Sequence, residues 1–219
     1  WSCRFDGARS GRRRGDAVPG ADRLETRLRR PQIPTAENVV VLARHGETEW
    51  SATGRHTGLT DIPLTRRGED QARALAPMLA GHRFALVLAS PLARAQETAR
   101  LAGVGARVVV EPDLVEWDYG DYEGRTTPEI RTEAPGWTIW DGVTPGGETI
   151  EQVAARVERV IARCRAAEGD VLAFAHGHLL RVLAARWCEL APVEGRRFVL
   201  GTGTLSRLGW EHAAPALTA

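Results

Sequence analysis

A run of apolar residues that ends in a polar tip restricts the folds open to this chain. Residues 38–43, NVVVLA, are mostly β-branched or aliphatic and lack the alternation of a strand with one face in water. Such a run predicts a strand buried on both faces, as in a parallel sheet covered by helices. Arg44 and His45 follow at once, and then Gly46. A buried strand therefore carries a guanidinium and an imidazole to one edge of a sheet.

Strand-like and helix-like segments alternate beyond this point. We predict strands at 84–90, 106–112 and 170–177, helices at 65–81, 90–103, 149–164 and 178–190, and closing edge strands at 197–201 and 204–210. Thr149 and Gln152 predict a capping box, Ser90 is the predicted N-cap of its helix, and Pro77 is expected to bend its helix or end it early. The alternation predicts an α/β fold: a single three-layer domain with a mostly parallel central sheet flanked by helices.

The first 37 residues have a different composition. They contain nine Arg, five acidic residues and three Pro, without a periodic apolar face. We predict that residues 1–37 are a disordered Arg-rich tail and that residues 38–219 form the catalytic domain. Within the tail, residues 21–30 could form a short exposed helix. An arm that binds phosphate or RNA is the alternative interpretation of the tail.

Composition excludes several kinds of chemistry. All 29 cationic residues among the 219 are Arg, so there is no Lys to bind nucleotide phosphates, form a Schiff base or anchor pyridoxal phosphate. A net charge of +1 argues against a nucleic-acid partner, and no apolar run is long enough to span a membrane. Cys3, Cys164 and Cys188 lie far apart, which predicts reduced, inert thiols and a cytoplasmic location.

Three predicted strands end in polar residues. Arg44 and His45 end the first, Ser90 ends the second, and His176 followed by Gly177 ends the strand at 170–177. Ligands of open α/β sheets bind outside the carboxyl ends of the strands. If these strands are neighbours, two imidazoles and at least one guanidinium meet there, and a neutral imidazole is a good nucleophile toward phosphorus.

A metal site is the competing interpretation of these histidines. His176 and His178 could supply two ligands, but no Cys, Asp or Glu lies at the usual ligand spacing. We therefore expect no metal. Arg94 instead lies in the first turn of helix 90–103, where the helix N-terminus favours an anion.

An acidic segment, residues 113–124, is predicted to form a loop over the strand ends. A carboxyl group there is suited to general acid catalysis, and Glu116 beside Trp117 could be desolvated and stay protonated. The residues alone do not choose among Glu116, Asp118, Asp121 and Glu123.

Six motifs in order resemble the histidine phosphatase superfamily, in its branch of phosphoglycerate mutases and related phosphatases. They are RHGETEW, GRHTGLTDIPLT, SPLARAQETA, EWDYGDYEG, PGGET and FAHGHLLRVL, and the resemblance covers about residues 38–212. It implies that His45 is the phosphorylated nucleophile and that Glu116 donates the proton to the leaving group. It further implies that Arg44, Arg94 and His176 form the phosphate pocket. The residues that it implies for lining the substrate are Ser51, Thr57, Gly58, Tyr119 and Gly177. Mutases of the family usually have Asn where this chain has Ser51.

The resemblance also implies a reaction. Family mutases hold bisphosphoglycerate with extra cations, including a Lys, from an insertion after the catalytic Glu, whereas this chain has no Lys and a short segment there. We therefore expect a metal-independent and cofactor-independent phosphomonoesterase that acts through phosphohistidine on sugar phosphates or bisphosphates, as in the acid phosphatase and sedoheptulose-bisphosphatase subgroup. Phosphoglycerate mutase and a regulatory phospho-ligand-binding module are the alternatives. Family members range from monomers to tetramers, so a homo-oligomer is compatible with the resemblance.

Two sets of residues carry further expectations. The candidates for binding a second phosphate are Arg125, Arg131, Arg181 and Arg186. Trp117, Trp137 and Trp140 are expected to wall the site, whereas Trp187 and Trp210 are expected in the core.

Overall fold

The computed structural model describes residues 38–219. The predictions for the tail, for residues 21–30 and for Cys3 lie outside this part of the chain. Within it, no helix is both long enough and apolar enough to cross a bilayer.

The strands and helices follow the predicted alternation. The strands are β1 (Val40–Arg44), β2 (Leu86–Ala89), β3 (Val108–Val110), β4 (Val171–Ala175), β5 (Leu205–Glu211) and β6 (Ala214–Leu217). The helices are α1 (Glu49–Ala52), α2 (Arg66–Leu79), α3 (Ala93–Leu101), α4 (Thr127–Arg131), α5 (Ile150–Arg165) and α6 (Gly177–Trp187). Short 3-10 helices lie at Gly105–Arg107, Pro112–Leu114, Gly120–Tyr122 and Pro192–Arg197.

One six-stranded sheet has the order β3-β2-β4-β1-β5-β6. The first four strands in this order are parallel; β5 then pairs antiparallel with β1, and β6 pairs antiparallel with β5. In the register of the central pair, Arg44 lies opposite Ala175. The predicted mostly parallel sheet is confirmed, and the strands that end at His45, Ser90 and His176 are neighbours.

The core confirms three layers. All five side chains of β4 are buried, and they alternate between two clusters. Val171, Ala173 and Ala175 pack with α5 and α6 on one face, whereas Leu172 and Phe174 pack with α2 and α3 on the other. A strand buried on both faces needs no polar position, which is why its sequence shows no alternation.

Helix ends show which local predictions hold. Thr149 and Gln152 form the predicted capping box of α5. Ser90 is not the N-cap of α3, because that helix begins at Ala93 and its N-cap residue, Leu92, has no capping side chain. Pro77 does not end α2 early, since the helix continues to Leu79.

One strand prediction was wrong. Residues 197–201 do not form an edge strand, because a 3-10 helix ends at Arg197 and irregular chain follows. Both sides of β1 are already paired, with β4 and β5, so no strand partner is available next to this segment. The third strand is shorter than 106–112, because 3-10 turns occupy both of its ends. The edge strand β6 was not predicted.

Candidate active site

The carboxyl ends of β1, β2 and β4 bring His45, Ser90 and His176 together. The rings of His45 and His176 lie 5.2 Å apart, centre to centre. A cavity of about 320 Å³ opens beside them, and Arg44, His45, Glu116 and Gly177 line it. The site therefore occupies the position expected for a ligand in an open parallel sheet.

His45 presents one free ring nitrogen. Its Nδ1 lies 2.7 Å from the carbonyl oxygen of Gly46, and because a carbonyl only accepts, Nδ1 must carry the proton. Burial first, and then Arg44 and Arg94, lower the pKa of His45 to about 3. The imidazole is therefore neutral near pH 7, with the lone pair on Nε2. Gly46 is required here, since a Cβ would lie 2.2 Å from the carbonyl oxygen of Gly68 at the start of α2.

His176 is held from two sides. Nε of Arg94 donates to its Nδ1 at 3.2 Å, so the proton of the neutral ring is on Nε2, which donates to Ser90 Oγ at 2.7 Å. Burial, and then Arg94, hold the pKa of His176 well below its usual value. The Ser90 hydroxyl, which we placed at a helix N-cap, thus fixes a ring across the sheet.

Arg94 is completely buried at the start of α3. Its guanidinium donates to the carbonyl oxygens of Thr57, Gly58 and Thr60, at distances of 2.7–3.2 Å. With its bond to His176, four of its five N–H groups have partners. Arg94 therefore ties the loop at 57–60 to His176, and its NH1 group also lies 3.8 Å from Asp61 Oδ1.

Arg44, unlike Arg94, has a donor without a hydrogen-bond partner. Its NH1 group donates to the carbonyl oxygen of Leu200, but Nε is a buried donor without a partner. No other buried side-chain nitrogen or oxygen in residues 38–219 lacks a hydrogen bond. A buried, unpaired donor is costly, and this one belongs to a side chain that lines the cavity.

Glu116 caps helix α6 with its carboxyl group. Oε1 accepts from the backbone N–H groups of Trp117 at 2.9 Å and Leu179 at 2.8 Å, and Oε2 accepts from that of His178 at 3.0 Å. These polar contacts differ from the apolar surroundings that we expected beside Trp117. Both lone-pair positions of Oε1 are taken, so Oε2 is the oxygen that can exchange a proton with a ligand.

The ten residues predicted for the site divide into two groups. Seven line the cavity: Arg44, His45, Ser51, Thr57, Glu116, Tyr119 and Gly177. The other three, Gly58, Arg94 and His176, are buried and do not line it. Of the four acidic residues left open by the sequence, Glu116 alone reaches the cavity.

Several lining residues were not predicted. His56, His178 and Thr127 form one wall with Tyr119, and Arg55 lies at the rim. HGH at 176–178 was a usable signal for His178, because a residue two past the end of a strand lies in the first turn of the next helix. His56 and Thr127 lie in loops far apart in sequence, and only the fold joins them.

The tryptophan prediction was half wrong. Trp117, Trp137 and Trp140 do not line the cavity but pack behind its wall, with the rings of Trp137 and Trp140 5.4 Å from His56 and His178 respectively. Trp187 is buried, and its ring packs 5.5 Å from Trp210, as predicted for core residues.

Among the candidates for a second phosphate, Arg181 alone lines the cavity. Its guanidinium lies 4.5 Å above the ring of Trp140 and donates to two backbone carbonyls. The other three are used elsewhere: Arg125 pairs with Glu133, Arg186 pairs with Glu158, and Arg131 donates to the carbonyl of Trp137.

The described residues offer neither a metal site nor a reactive thiol. Within residues 38–219, no three His, Cys, Asp or Glu side chains are grouped as metal ligands. Cys164 and Cys188 are free, and burial raises the pKa of Cys164 to about 12, which makes it inert.

Fold and site together define a class of α/β proteins with histidines at the ends of two adjacent parallel strands. The chain belongs to the histidine phosphatase superfamily (branch 1), whose family model matches residues 40–219.

Similar proteins are phosphatases and mutases. The chain is 40% identical over 182 residues to an acid phosphatase of Mycobacterium tuberculosis, covering 81% of this chain and 89% of that protein. It is 38% identical over 191 residues to the sedoheptulose 1,7-bisphosphatase of Saccharomyces cerevisiae, covering 72% and 70%. A probable phosphoglycerate mutase of an Enterobacter species is 34% identical, covering 80% and 86%. A solved mycobacterial glucosyl-3-phosphoglycerate phosphatase in complex with VO3 has a TM-score of 0.74 and 30% identity, covering 83% and 97%.

Proposed function

We propose that this chain is a metal-independent phosphomonoesterase that works through a phosphohistidine intermediate on sugar phosphates or sugar bisphosphates. The observation that carries the proposal is the state of His45: a neutral ring whose Nδ1 proton is held by Gly46 and whose Nε2 has no hydrogen bond within residues 38–219. His45 lines the same cavity as Arg44 and the carboxyl group of Glu116.

The first step transfers the phosphoryl group to His45. In this mechanism Glu116 begins as the protonated acid. Nε2 attacks phosphorus, the bond from phosphorus to the ester oxygen breaks, and the leaving oxygen takes the proton from Oε2 of Glu116. Nδ1 keeps its proton, so the positive charge that develops on the ring is shared with the carbonyl of Gly46. The guanidinium of Arg44, which lines the cavity, and that of Arg94, which is buried beside it, supply positive charge to the phosphoryl oxygens.

The second step returns the enzyme to its starting state. Glu116 Oε2, now ionised, accepts a proton from water as the water oxygen attacks phosphorus and the bond to Nε2 breaks. Inorganic phosphate leaves, and His45 and Glu116 are as they began. Water thus replaces the ester oxygen, with no redox change and no metal.

Two observations support a sugar phosphate over the other substrates. Relatives at 38–40% identity are named an acid phosphatase and a sugar bisphosphatase, and a structural neighbour is named a glucosyl-3-phosphoglycerate phosphatase. Arg181 is positioned on the cavity wall, where it can meet a second phosphate. Mutase activity is the weaker alternative, because no Lys is available to retain a bisphosphate between the two half-reactions.

The test is phosphate release from a panel of substrates in EDTA. It contains sedoheptulose 1,7-bisphosphate, fructose 1,6-bisphosphate, 3-phosphoglycerate and p-nitrophenyl phosphate. We expect release that His45→Ala abolishes, at least 10³-fold, and that His82→Ala, a change of an exposed histidine outside the cavity, leaves intact. Loss on chelation that Zn²⁺ or Mg²⁺ restores would contradict the metal-free mechanism. Equal behaviour of His45→Ala and the unaltered protein would favour the regulatory phospho-ligand-binding module.

A further inference from the structure

The segment that carries Glu116 has no regular structure of its own. Residues 115–119 lie between two 3-10 helices and belong to no helix or strand. Carbonyl groups in such a segment lack the partners that a helix or a sheet supplies, and the buried ones need partners from elsewhere. The groups that hold this main chain therefore also set the position of the Glu116 carboxyl group.

Arg156, on α5, holds the segment from outside the cavity. Its NH1 group donates to the carbonyl oxygens of Asp113 at 2.9 Å and Val115 at 2.6 Å, and its NH2 group donates to that of Glu116 at 3.1 Å. Nε and NH2 each also donate at 2.9 Å to one carboxylate oxygen of Glu148. All five N–H groups of the guanidinium thus have partners within the protein, and none remains for a ligand.

Glu148 fixes the chain on the other side of Glu116. Its Oε2 accepts from the backbone N–H of Asp118 at 3.0 Å, and its own backbone N–H donates to the carbonyl of Asp118 at 3.0 Å. Its carbonyl accepts from the indole N–H of Trp117 at 2.9 Å. The ion pair of Arg156 and Glu148 therefore joins α5 to the main chain before and after Glu116.

Two other arginines on this face of α5 make a different kind of contact. Arg159 pairs with the side chain of Asp113. Arg163, one turn further on, pairs with the side chain of Glu111. The side chains of Arg159 and Arg163 are 63% and 41% exposed, whereas that of Arg156 is 7% exposed. Exposed ion pairs contribute little, so of the three arginines only Arg156 connects the helix firmly to the main chain of the segment.

We propose that Arg156 is a positioning residue for proton transfer by Glu116. Two helices hold Glu116: N–H groups at the start of α6 bind its carboxyl group, and Arg156 on α5 binds its main chain. If the main chain is released, the carboxyl group moves relative to the ester oxygen, and a displacement of about 1 Å is enough to slow a reaction about 100-fold. This inference rests on the proposed phosphatase function and adds to it a residue that does not touch the substrate.

The experiment compares an ester that needs a proton donor with one that does not. The alkoxide of glycerol 1-phosphate must be protonated as it leaves, whereas the nitrophenolate of p-nitrophenyl phosphate leaves as the anion. Arg156→Lys keeps the positive charge but replaces the five donors of a planar guanidinium with the three of an ammonium group. We expect kcat/KM to fall about 30-fold for glycerol 1-phosphate and about threefold or less for p-nitrophenyl phosphate. The ratio of the two values within one preparation is independent of how much of the variant is folded.

A double variant tests whether Arg156 acts through Glu116. Glu116→Gln alone should show the same selective loss, and a larger one, because it removes the proton donor itself. In the Glu116→Gln background, Arg156→Lys should lower kcat/KM for glycerol 1-phosphate by no more than about twofold, since the group that Arg156 positions is already gone. A residue that only supports the fold would lower the rate for both esters in both backgrounds.

Arg159→Lys is the matched control. It makes the same change on the same face of α5, and it should keep the ratio of the unaltered protein. Glu148→Gln weakens the partner of Arg156 and should give the same selective loss as Arg156→Lys, so it supplies the ratio if that variant does not fold.

The outcomes separate this role from the proposed function. Unchanged rates or equal losses on both esters in Arg156→Lys and Glu148→Gln, or independent losses in the double variant, would overturn the role of Arg156. A selective loss in Glu116→Gln would at the same time leave the proposed function standing. No phosphate release by the unaltered protein, or equal losses on both esters in Glu116→Gln, would overturn the proposed mechanism and this role with it.

Discussion

His45 joins two properties that rarely coincide in one side chain. It lies close enough to Arg44 and Arg94 to feel their charge, and its ring is neutral, as the proposed attack on phosphorus requires. The two are compatible because burial and the arginines act in the same direction, and both favour the uncharged ring. The carbonyl of Gly46 then decides which nitrogen is free.

This state predicts the acidic side of the pH profile. With a pKa of about 3, His45 stays neutral from pH 7 to pH 5, so kcat/KM should not fall in this range. A histidine with an ordinary pKa would be about 97% protonated at pH 5, and the rate would drop about 30-fold. The measurement is kcat/KM for p-nitrophenyl phosphate with the ionisation of the substrate divided out. A limb with its midpoint near pH 6.5 would contradict the prediction.

At this scale the sequence predicted the site residues at the ends of strands, but it did not predict the groups to which they hydrogen-bond. Arg44, His45 and His176 stand out because apolar runs deliver them to one edge. The bond from His176 to Ser90 depends on β2 lying beside β4, which no local pattern encodes. Two of the three N–H groups on Glu116, those of His178 and Leu179, likewise depend on where α6 begins.

At the scale of elements, the loop at 57–60 connects an acidic side chain to a basic one. The carboxylate of Glu123 accepts from the N–H groups of Gly58 and Thr60, and the carbonyls of the same loop accept from Arg94. Gly58 allows this approach, since a Cβ there would lie 2.6 Å from Glu123 Oε2. Glu123 is therefore a positioning residue for Arg94.

Glu123→Gln tests this connection. The amide group would turn donors toward the backbone N–H of Gly58, so we expect the loop to shift and kcat/KM to fall about tenfold. The affinity for inorganic vanadate should fall with it, because Arg94 would be displaced. Glu133→Gln, which changes an exposed partner of Arg125, is the control and should have no effect. Identical vanadate affinities in the two variants would refute the role of Glu123.

Element predictions succeeded where the signal was local. Helix α5 was predicted from its capping box and its apolar stripe, and both lie within the helix itself. Residues 197–201 have a strand-like composition, yet the sheet has no open side next to them. Pairing between distant segments decides such cases, and a single sequence does not reveal it.

For the whole molecule, four uncharged histidines make stability depend on pH. The pKa values of His45, His56, His176 and His178 are all lowered in the folded protein. Below about pH 6.5 these four histidines bind protons in the unfolded chain but stay neutral in the folded chain. The stability is thus fully present above pH 6.5 and is lost as the pH falls.

The free energy of unfolding should accordingly decrease between pH 7.5 and pH 5.5. Each such histidine contributes up to about 1.4 kcal/mol per pH unit below 6.5. Urea denaturation at pH 7.5, 6.5 and 5.5 measures the slope. His56→Gln should reduce the dependence of the unfolding free energy on pH by the contribution of about one proton. His82→Gln should leave this dependence unchanged. Equal free energies at pH 7.5 and 5.5 would contradict the prediction.

The central place of β1 in the sheet has a consequence for the order in which the protein comes apart. The backbone N–H of His45 bonds to Ala175, and β1 is paired on both sides, so its amides should exchange with solvent only when the whole sheet opens. Val199, which also lines the cavity, lies in irregular chain and is exposed. The end of β1, which forms the floor of the site, should therefore open only when the whole domain unfolds. We expect the rate of heat inactivation to equal the rate of global unfolding.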